Sequence, residues 1–197
     1  MKIYDISQEV FSCAVYPGDP SPIPTRVAKI EEGSLYNLSK FEMCAHNGTH
    51  MDAPYHFLQE GKTVDQIPTE RTVGWCYVTE FNGSLAKEDI DVILAKATAA
   101  REEAAGKILF KGKAVVTAEA ATRLKEKGVH LVGVESQTVG PEDAPMAVHL
   151  ILLGAEVYLL EGLRLSDVTE GVYFLHAAPL NLAGFDGAPC RATLTEL

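Results

Sequence analysis

The sequence contains no CxxC pair, no run of lysines or arginines and no stretch of about eighteen consecutive apolar residues. Each absence excludes a class of function. Cys13, Cys44, Cys76 and Cys190 stand far apart, which argues against a zinc knuckle or a redox pair and fits reduced thiols in a cytoplasm. A formal charge of −10 with no local cluster of positive charge would repel a phosphate backbone, so nucleic acid is not an expected partner. Asp5 and Glu9 interrupt the opening MKIYDISQEV where a signal peptide needs an unbroken apolar core. With no long apolar run either, the chain is expected to be soluble, unexported and without a membrane partner. No GxSxG elbow occurs, which removes the usual setting for a nucleophilic serine. Internal repeats, low-complexity tracts and linkers are absent too, and 197 residues, 47% of them hydrophobic, fit one domain spanning 1–197.

The elements that are present begin with strands. KIYDIS, Leu38 to Ala45 and Trp75 to Phe81 are aromatic and apolar, while the proline-rich YPGDPSPIP reads as a turn and loop. Near Glu88 the period changes: Ile90, Ile93, Leu94 and Ala97 recur at helical spacing, and the helix is expected to last to Ala105, with Gly106 as its stop. After a short strand at Lys107 to Phe110, Thr117 can cap a helix running to Lys127, and VHLVGV follows as a strand. A second such unit has Pro145 opening a short helix through Leu153, Gly154 closing it, and EVYLLEGL as a strand ending at Glu161. VYFLHAAPLNL and RATLTEL are two further apolar stretches, separated by the glycine turn AGFDGAP. The expected fold is α/β, with a mixed β-sheet core and about three helices.

Three of the six histidines fall within HNGTHMDAPYHF, residues 46–57. His46, His50, Asp52 and His56 are all even-numbered, so an extended backbone would send the four side chains to one side, with Thr49 and Met51 facing the other way. Gly48 and Pro54 would both interrupt a helix here. A lone histidine is ordinarily a surface or core residue, and Asp52 alone could be a turn residue. Three imidazoles and an acid on one face would instead repel one another when protonated, and a divalent cation held by neutral imidazole and carboxylate explains keeping them together. Among the cysteines only Cys44, two residues before His46, is near enough to reach a metal, and it reads better as a buried strand residue.

A single metal needs only three protein ligands and an open position. His149 and Glu161 offer more. They lie on opposite arms of the second α/β unit, and Glu161 follows the apolar VYLL directly, where a buried acid must be paired, coordinated or solvated. Taken alone, Glu161 reads equally well as an exposed strand-end acid, and His149 as a helix-face residue.

HNGTHMDAPYHF resembles HxGTHxDxPxHF, the metal-binding signature of the cyclase family of metal-dependent hydrolases, to which kynurenine formamidases and isatin hydrolases belong; every fixed position is present. The likeness extends through IYDIS, YPGD, GVESQTVG, HLILLGAEVYLLEGL and GVYFLHAAPLNLAGFDGAPCRA. It implies a swivelling β/β/α fold, a homodimer or higher homo-oligomer, and two divalent cations, Zn²⁺ or Mn²⁺, in one site. By motif position His46, His50 and Asp52 resemble ligands of the first metal, Asp52 and Glu161 the bridging carboxylates, and His149 a ligand of the second. His56 matches the general acid/base. Tyr16 stands where the formamidases carry an aromatic residue, usually Trp, that lines the substrate pocket, and ESQT at 135–138 departs from their DTPS-like segment.

The expected activity is hydrolysis of an amide carbon–nitrogen bond in a small, aromatic or cyclic substrate. Two cations sharing a water would supply hydroxide at neutral pH and polarise the carbonyl, and an imidazole, with an ordinary pKa near 6.5, suits the proton that the leaving amine requires. Polyketide-type cyclisation or dehydration at the same metals, and a metal-binding scaffold without catalysis, are the alternatives. Arg191 could orient a substrate carboxylate, but a structural contact holding the C-terminal strand is the favoured reading.

Overall fold

In the computed structural model, residues 1–196 are described; Leu197, the last residue of RATLTEL, lies outside them. The strands are β1 (Lys2–Asp5), β2 (Ile23–Ala28), β3 (Leu38–Glu42), β4 (His50–Asp52), β5 (Val73–Glu80), β6 (Gly83–Leu85), β7 (Lys107–Lys111), β8 (Ala114–Val116), β9 (Leu131–Val134), β10 (Tyr158–Glu161), β11 (Gly171–His176), β12 (Gly187–Pro189) and β13 (Thr193–Glu196). The helices are a single turn α1 (Thr69–Thr72), α2 (Lys87–Ala100), α3 (Ala118–Glu126) and α4 (Met146–Leu153). The architecture is the α/β fold expected, with a mixed sheet and three helices longer than one turn.

Nine strands form one sheet in the order β1-β13-β11-β5-β7-β9-β10-β4-β12. The central β5, β7, β9 and β10 run parallel, and strands paired antiparallel flank them. Side chains of these central strands divide between two cores. Ile108, Phe110, Val132, Val134 and Leu159 pack with residues of α2, α3 and α4, while Leu109, Leu131, Tyr158 and Leu160 pack on the opposite face. Apolar residues on both faces are what a parallel sheet needs when both sides are covered.

The same alternation places the candidate ligands. Met51 joins the far core, so His50 and Asp52 on either side of it face α4. In the antiparallel β10–β4 ladder Leu159 lies opposite Asp52 and Glu161 opposite His50. Glu161 therefore shares the face of both, at the carboxyl end of a parallel strand.

Two local expectations are revised. The helix from residue 87 stops at Ala100, because Arg101 is extended with φ −166° and lays its guanidinium 3.8 Å from the Trp75 ring centroid; residues Glu102–Gly106 then form a separate 3-10 turn. Cys44 lies beyond the end of β3 and is half-buried, not a strand residue in the core.

β2 and β3 stand apart as a two-stranded antiparallel arm. Every residue of β3, and all of β2 except Ala28, is exposed. Ile23, Val27, Ile30, Leu35, Tyr36, Leu38 and Phe41 on this arm are each at least 45% exposed. Among the described residues no helix is long and apolar enough to cross a membrane.

Candidate metal centre

The chain approaches the site through a reversal. Gly48, with φ +65°, takes the left-handed conformation that turns the backbone between His46 and β4. Thr49 Oγ1 donates to Gly162 O at 2.6 Å and accepts from Gln8 N, pinning this turn to the end of β10 and to the N-terminal segment. His56 sits in a 3-10 turn, Pro54–His56, opened by the buried Pro54. The four even-numbered side chains thus converge, although only His50 and Asp52 do so from extended backbone; a turn on each side returns His46 and His56 to the same place.

His50 and His149 are oriented alike. His50 Nδ1 is 3.0 Å from Gly48 O and His149 Nδ1 is 2.9 Å from Pro145 O. A carbonyl only accepts, so each Nδ1 carries a proton, and each Nε2 is the nitrogen that takes either a second proton or a cation. Those Nε2 atoms face the acids: His50 lies 3.3 Å from Asp52 Oδ1 and 3.5 Å from Glu161 Oε2, and His149 lies 3.4 Å from Glu161 Oε1 and 3.7 Å from Asp52 Oδ2. His46 Nδ1 is 2.9 Å from Asp52 Oδ1. His149, a helix residue, and Glu161, a strand-end residue, are therefore brought onto the 46–56 segment.

Asp52 and Glu161 are 1% and 2% exposed. Carboxylates this deep cost several kcal/mol unless compensated. Glu161 Oε1 accepts from Val139 N at 2.8 Å, but Asp52 Oδ2 has no hydrogen-bond partner. Among the described residues neither acid has a lysine or arginine within 4.0 Å; only histidines face them. Burial opposes charge on His46 and His50, yet the hydrogen bonds they donate to Asp186 and Asp52 lift His46 to about 11, and those to Asp52 and Glu161 lift His50 to about 9. Burial likewise opposes a charged His149, which Glu161 and Asp52 draw upward. Burial also opposes the charge on Asp52, and His46 and His50 still hold its pKa well below the usual carboxylate range. Sites that bind protons this tightly with N and O donors facing one centre also suit divalent cations. Ligand atoms lie within 4.8 Å of one another in three groups, His46 with His50 and Asp52, Asp52 with His149 and Glu161, and His46 with His56 and Asp186, so the residues fit a divalent metal site.

A cavity of about 400 Å³ opens over the centre. His56, Tyr16, Phe57, Cys44 and Gln137 are on its wall. His56 stacks on His46 with ring centroids 4.0 Å apart and planes at 27°. Tyr16 is tied back by its hydroxyl, which donates to Glu142 O at 3.0 Å. Glu135 of the ESQT segment serves the backbone, accepting from Gly112 N and Leu165 N. Arg191 points elsewhere: it is 77% exposed and donates from Nε to Asp5 Oδ2 at 3.0 Å, joining the C-terminal segment to β1.

Sequence reasoning missed Asp186. It accepts from His46 Nε2 at 2.9 Å and lies 3.4 Å from His56 Nδ1. Hydrogen bonds from those two histidines hold its pKa far below the usual carboxylate range. Its signals were its place in the family-like stretch GVYFLHAAPLNLAGFDGAPCRA, which gives it no role, and in the glycine turn AGFDGAP, where Asp is an ordinary turn residue.

The fold and this centre define a metal-dependent hydrolase. The Cyclase family model, described as "Putative cyclase", matches residues 4–141, and the chain belongs to that family. A kynurenine formamidase of Erythrobacter litoralis is 32% identical over 210 residues, covering all of this chain and 94% of that protein. A solved structure described as a potential metal-dependent hydrolase with cyclase activity superposes with a TM-score of 0.81 at 32% identity, over 100% of this chain and 99% of the other. Isatin hydrolase A from Labrenzia aggregata shares the fold, with a TM-score of 0.82 at 22% identity over 98% of this chain and 93% of its own.

Proposed function

We propose that the chain hydrolyses the carbon–nitrogen bond of a small aryl formamide or cyclic amide. The observation that carries this reading is the convergence of His46, His50, Asp52, His149 and Glu161 beneath a cavity, with Asp52 Oδ2 buried and unpartnered. The named activities of the formamidase and isatin hydrolase relatives support it. In this reading the five residues hold two cations, Zn²⁺ or Mn²⁺, since mixed imidazole and carboxylate donors suit either. Bound there, the cations supply an acidified water and a Lewis acid for the carbonyl.

The remaining work belongs to the protein. Asp52 belongs to both ligand groups and Glu161 faces His50 and His149, so these two acids would hold the cations together. His56, on the cavity wall and outside the Asp52–Glu161 cluster, passes a proton to the departing nitrogen, a role worth roughly 10²–10⁴-fold in rate. Tyr16 and Phe57 give ring faces to an aryl group, and the cavity volume is in the range for small-molecule sites. The four free cysteines accord with a cytoplasmic setting.

We further propose self-assembly through the β2–β3 arm. Residues 23–42 carry Arg26, Lys29 and Lys40 against Glu31, Glu32 and Glu42, so the arm is neutral on a chain of net charge −10. Its seven exposed apolar side chains lie on a two-stranded sheet and the segment joining its strands, separate from the main sheet. A neutral apolar surface is where two otherwise acidic copies can meet without repulsion.

The metal-loaded protein should release formic acid and an arylamine from an aryl formamide, or add one water to an isatin-like lactam to give a single ring-opened amino acid, followed by mass spectrometry with esters as controls. Ring closure or loss of water from a polyketone substrate would instead assign the cyclase chemistry. Full metal content with no turnover of any of these would make the chain a metal-binding scaffold.

A further inference from the structure

Each imidazole of the metal centre needs one nitrogen fixed so that the other can face the acids. Backbone carbonyls do this for His50 and His149. His46 has no such carbonyl; its Nε2 meets Asp186 Oδ2 at 2.9 Å while its Nδ1 faces Asp52. Carboxylates only accept, and His46 faces one from each nitrogen at 2.9 Å, so a cation held beside Asp52 would take the place of the Nδ1 proton and leave the ring's remaining proton on Nε2, facing Asp186. The same carboxylate oxygen lies 3.4 Å from His56 Nδ1, and the His46 and His56 rings stack face to face.

We propose that Asp186 is a positioning residue, which fixes His46 in the tautomer that offers Nδ1 to a cation and holds His56 stacked beside it. The proposal rests on the metal-centre reading above and adds what orients two of its imidazoles. The sheet sets the carboxylate's place: Asp186 O accepts from Ala53 N at 2.9 Å, and the next residue, Gly187, is paired with Asp52 in the β12–β4 ladder. A Cβ at Gly187 would stand 2.7 Å from His46 Cε1 and 2.9 Å from Met51 O, so glycine lets His46 lie against this edge strand. Asp186 thus reaches the histidines from a rigid strand end. An acceptor of this kind behind a ligating imidazole fixes its ring plane and strengthens it as a donor.

Zn²⁺ serves as the probe. In the Zn²⁺-loaded wild-type protein, long-range ¹H–¹⁵N correlation of labelled histidine should show His46 protonated at Nε2, with Nδ1 shifted by the metal. Asp186→Ala should weaken Zn²⁺ in chelator competition by roughly 10–100-fold, the usual cost of losing such a partner, without changing the number of ions bound per chain. Asp186→Asn, whose amide oxygen still accepts, should retain most of the affinity, and it carries the comparison if the alanine variant does not fold. Ligation of His46 through Nε2, or unchanged Zn²⁺ affinity in Asp186→Ala, overturns the proposal. Loss of one Zn²⁺ per chain in that variant overturns it too, by making Asp186 a ligand. The predicted tautomer in a protein that hydrolyses no amide would leave this proposal standing and remove the function, whereas amide hydrolysis with His46 ligated through Nε2 would do the reverse.

Discussion

The metal centre buries polar groups, and the β2–β3 arm exposes apolar ones. Asp52 and Glu161 are almost wholly withdrawn from water while Leu35 is 96% exposed. Each region reverses the usual partition, and each reversal is costly to a lone chain: buried carboxylates have only imidazoles to balance them, and bare apolar side chains lack cover. The difference lies in what each region calls for. The centre has convergent N and O atoms from distant segments and suits a cation; the arm has exposed apolar side chains and balanced charge, and the cover proposed for it is another copy of the chain.

The largest effect is expected at Asp52. Asp52→Ala should leave the protein without retained cations by plasma mass spectrometry and reduce turnover to background, a larger loss than the ~10–100-fold of an outer partner, with the oligomeric state unchanged. His56→Ala should lower turnover by about 10²–10⁴-fold and leave metal content intact; a variant that lost its metal would show His56 to be a ligand. On the other side, Leu35→Glu combined with Phe41→Glu should turn a dimer into a monomer by light scattering, with metal content unaffected. A wild-type protein already monomeric at high concentration would contradict the arm's role.

A smaller effect distinguishes the regions by pH. His46 and His50 are raised in the folded state to about 11 and about 9 from 6.5. Groups with raised folded pKa values stabilise fully below the unfolded value and lose that contribution as pH rises through the folded one. The chelated protein should therefore lose thermal stability from about pH 6.5 to 9 through His50, and further toward 11 through His46. The arm variant should keep the same profile. A chelated wild-type protein whose stability is flat across that window would contradict the pairing described for these histidines.

Much of this was legible in the sequence because its causes are local. The ligand segment shows its histidines and acid at fixed spacing, and the apolar run before Glu161 fixes both a buried strand and the place where it ends. The helix end at Arg101 was not legible, since a contact with Trp75 from another element decides it. Asp186 was hidden for the same reason: its partners are about 130 and 140 residues away in the chain, and only the β4–β12 pairing brings them together. The arm was half visible. β3 read as a strand, but proline-rich sequence concealed the start of β2, and no local pattern reveals that a strand's apolar side chains face outward.

Anomalous diffraction at the Zn edge, on crystals of the Zn²⁺-loaded protein, most directly tests the central claim. The account predicts peaks about 2.0–2.2 Å from His50 Nε2, His149 Nε2 and the carboxylates of Asp52 and Glu161. Peaks confined to other residues, or none at these atoms, would contradict it.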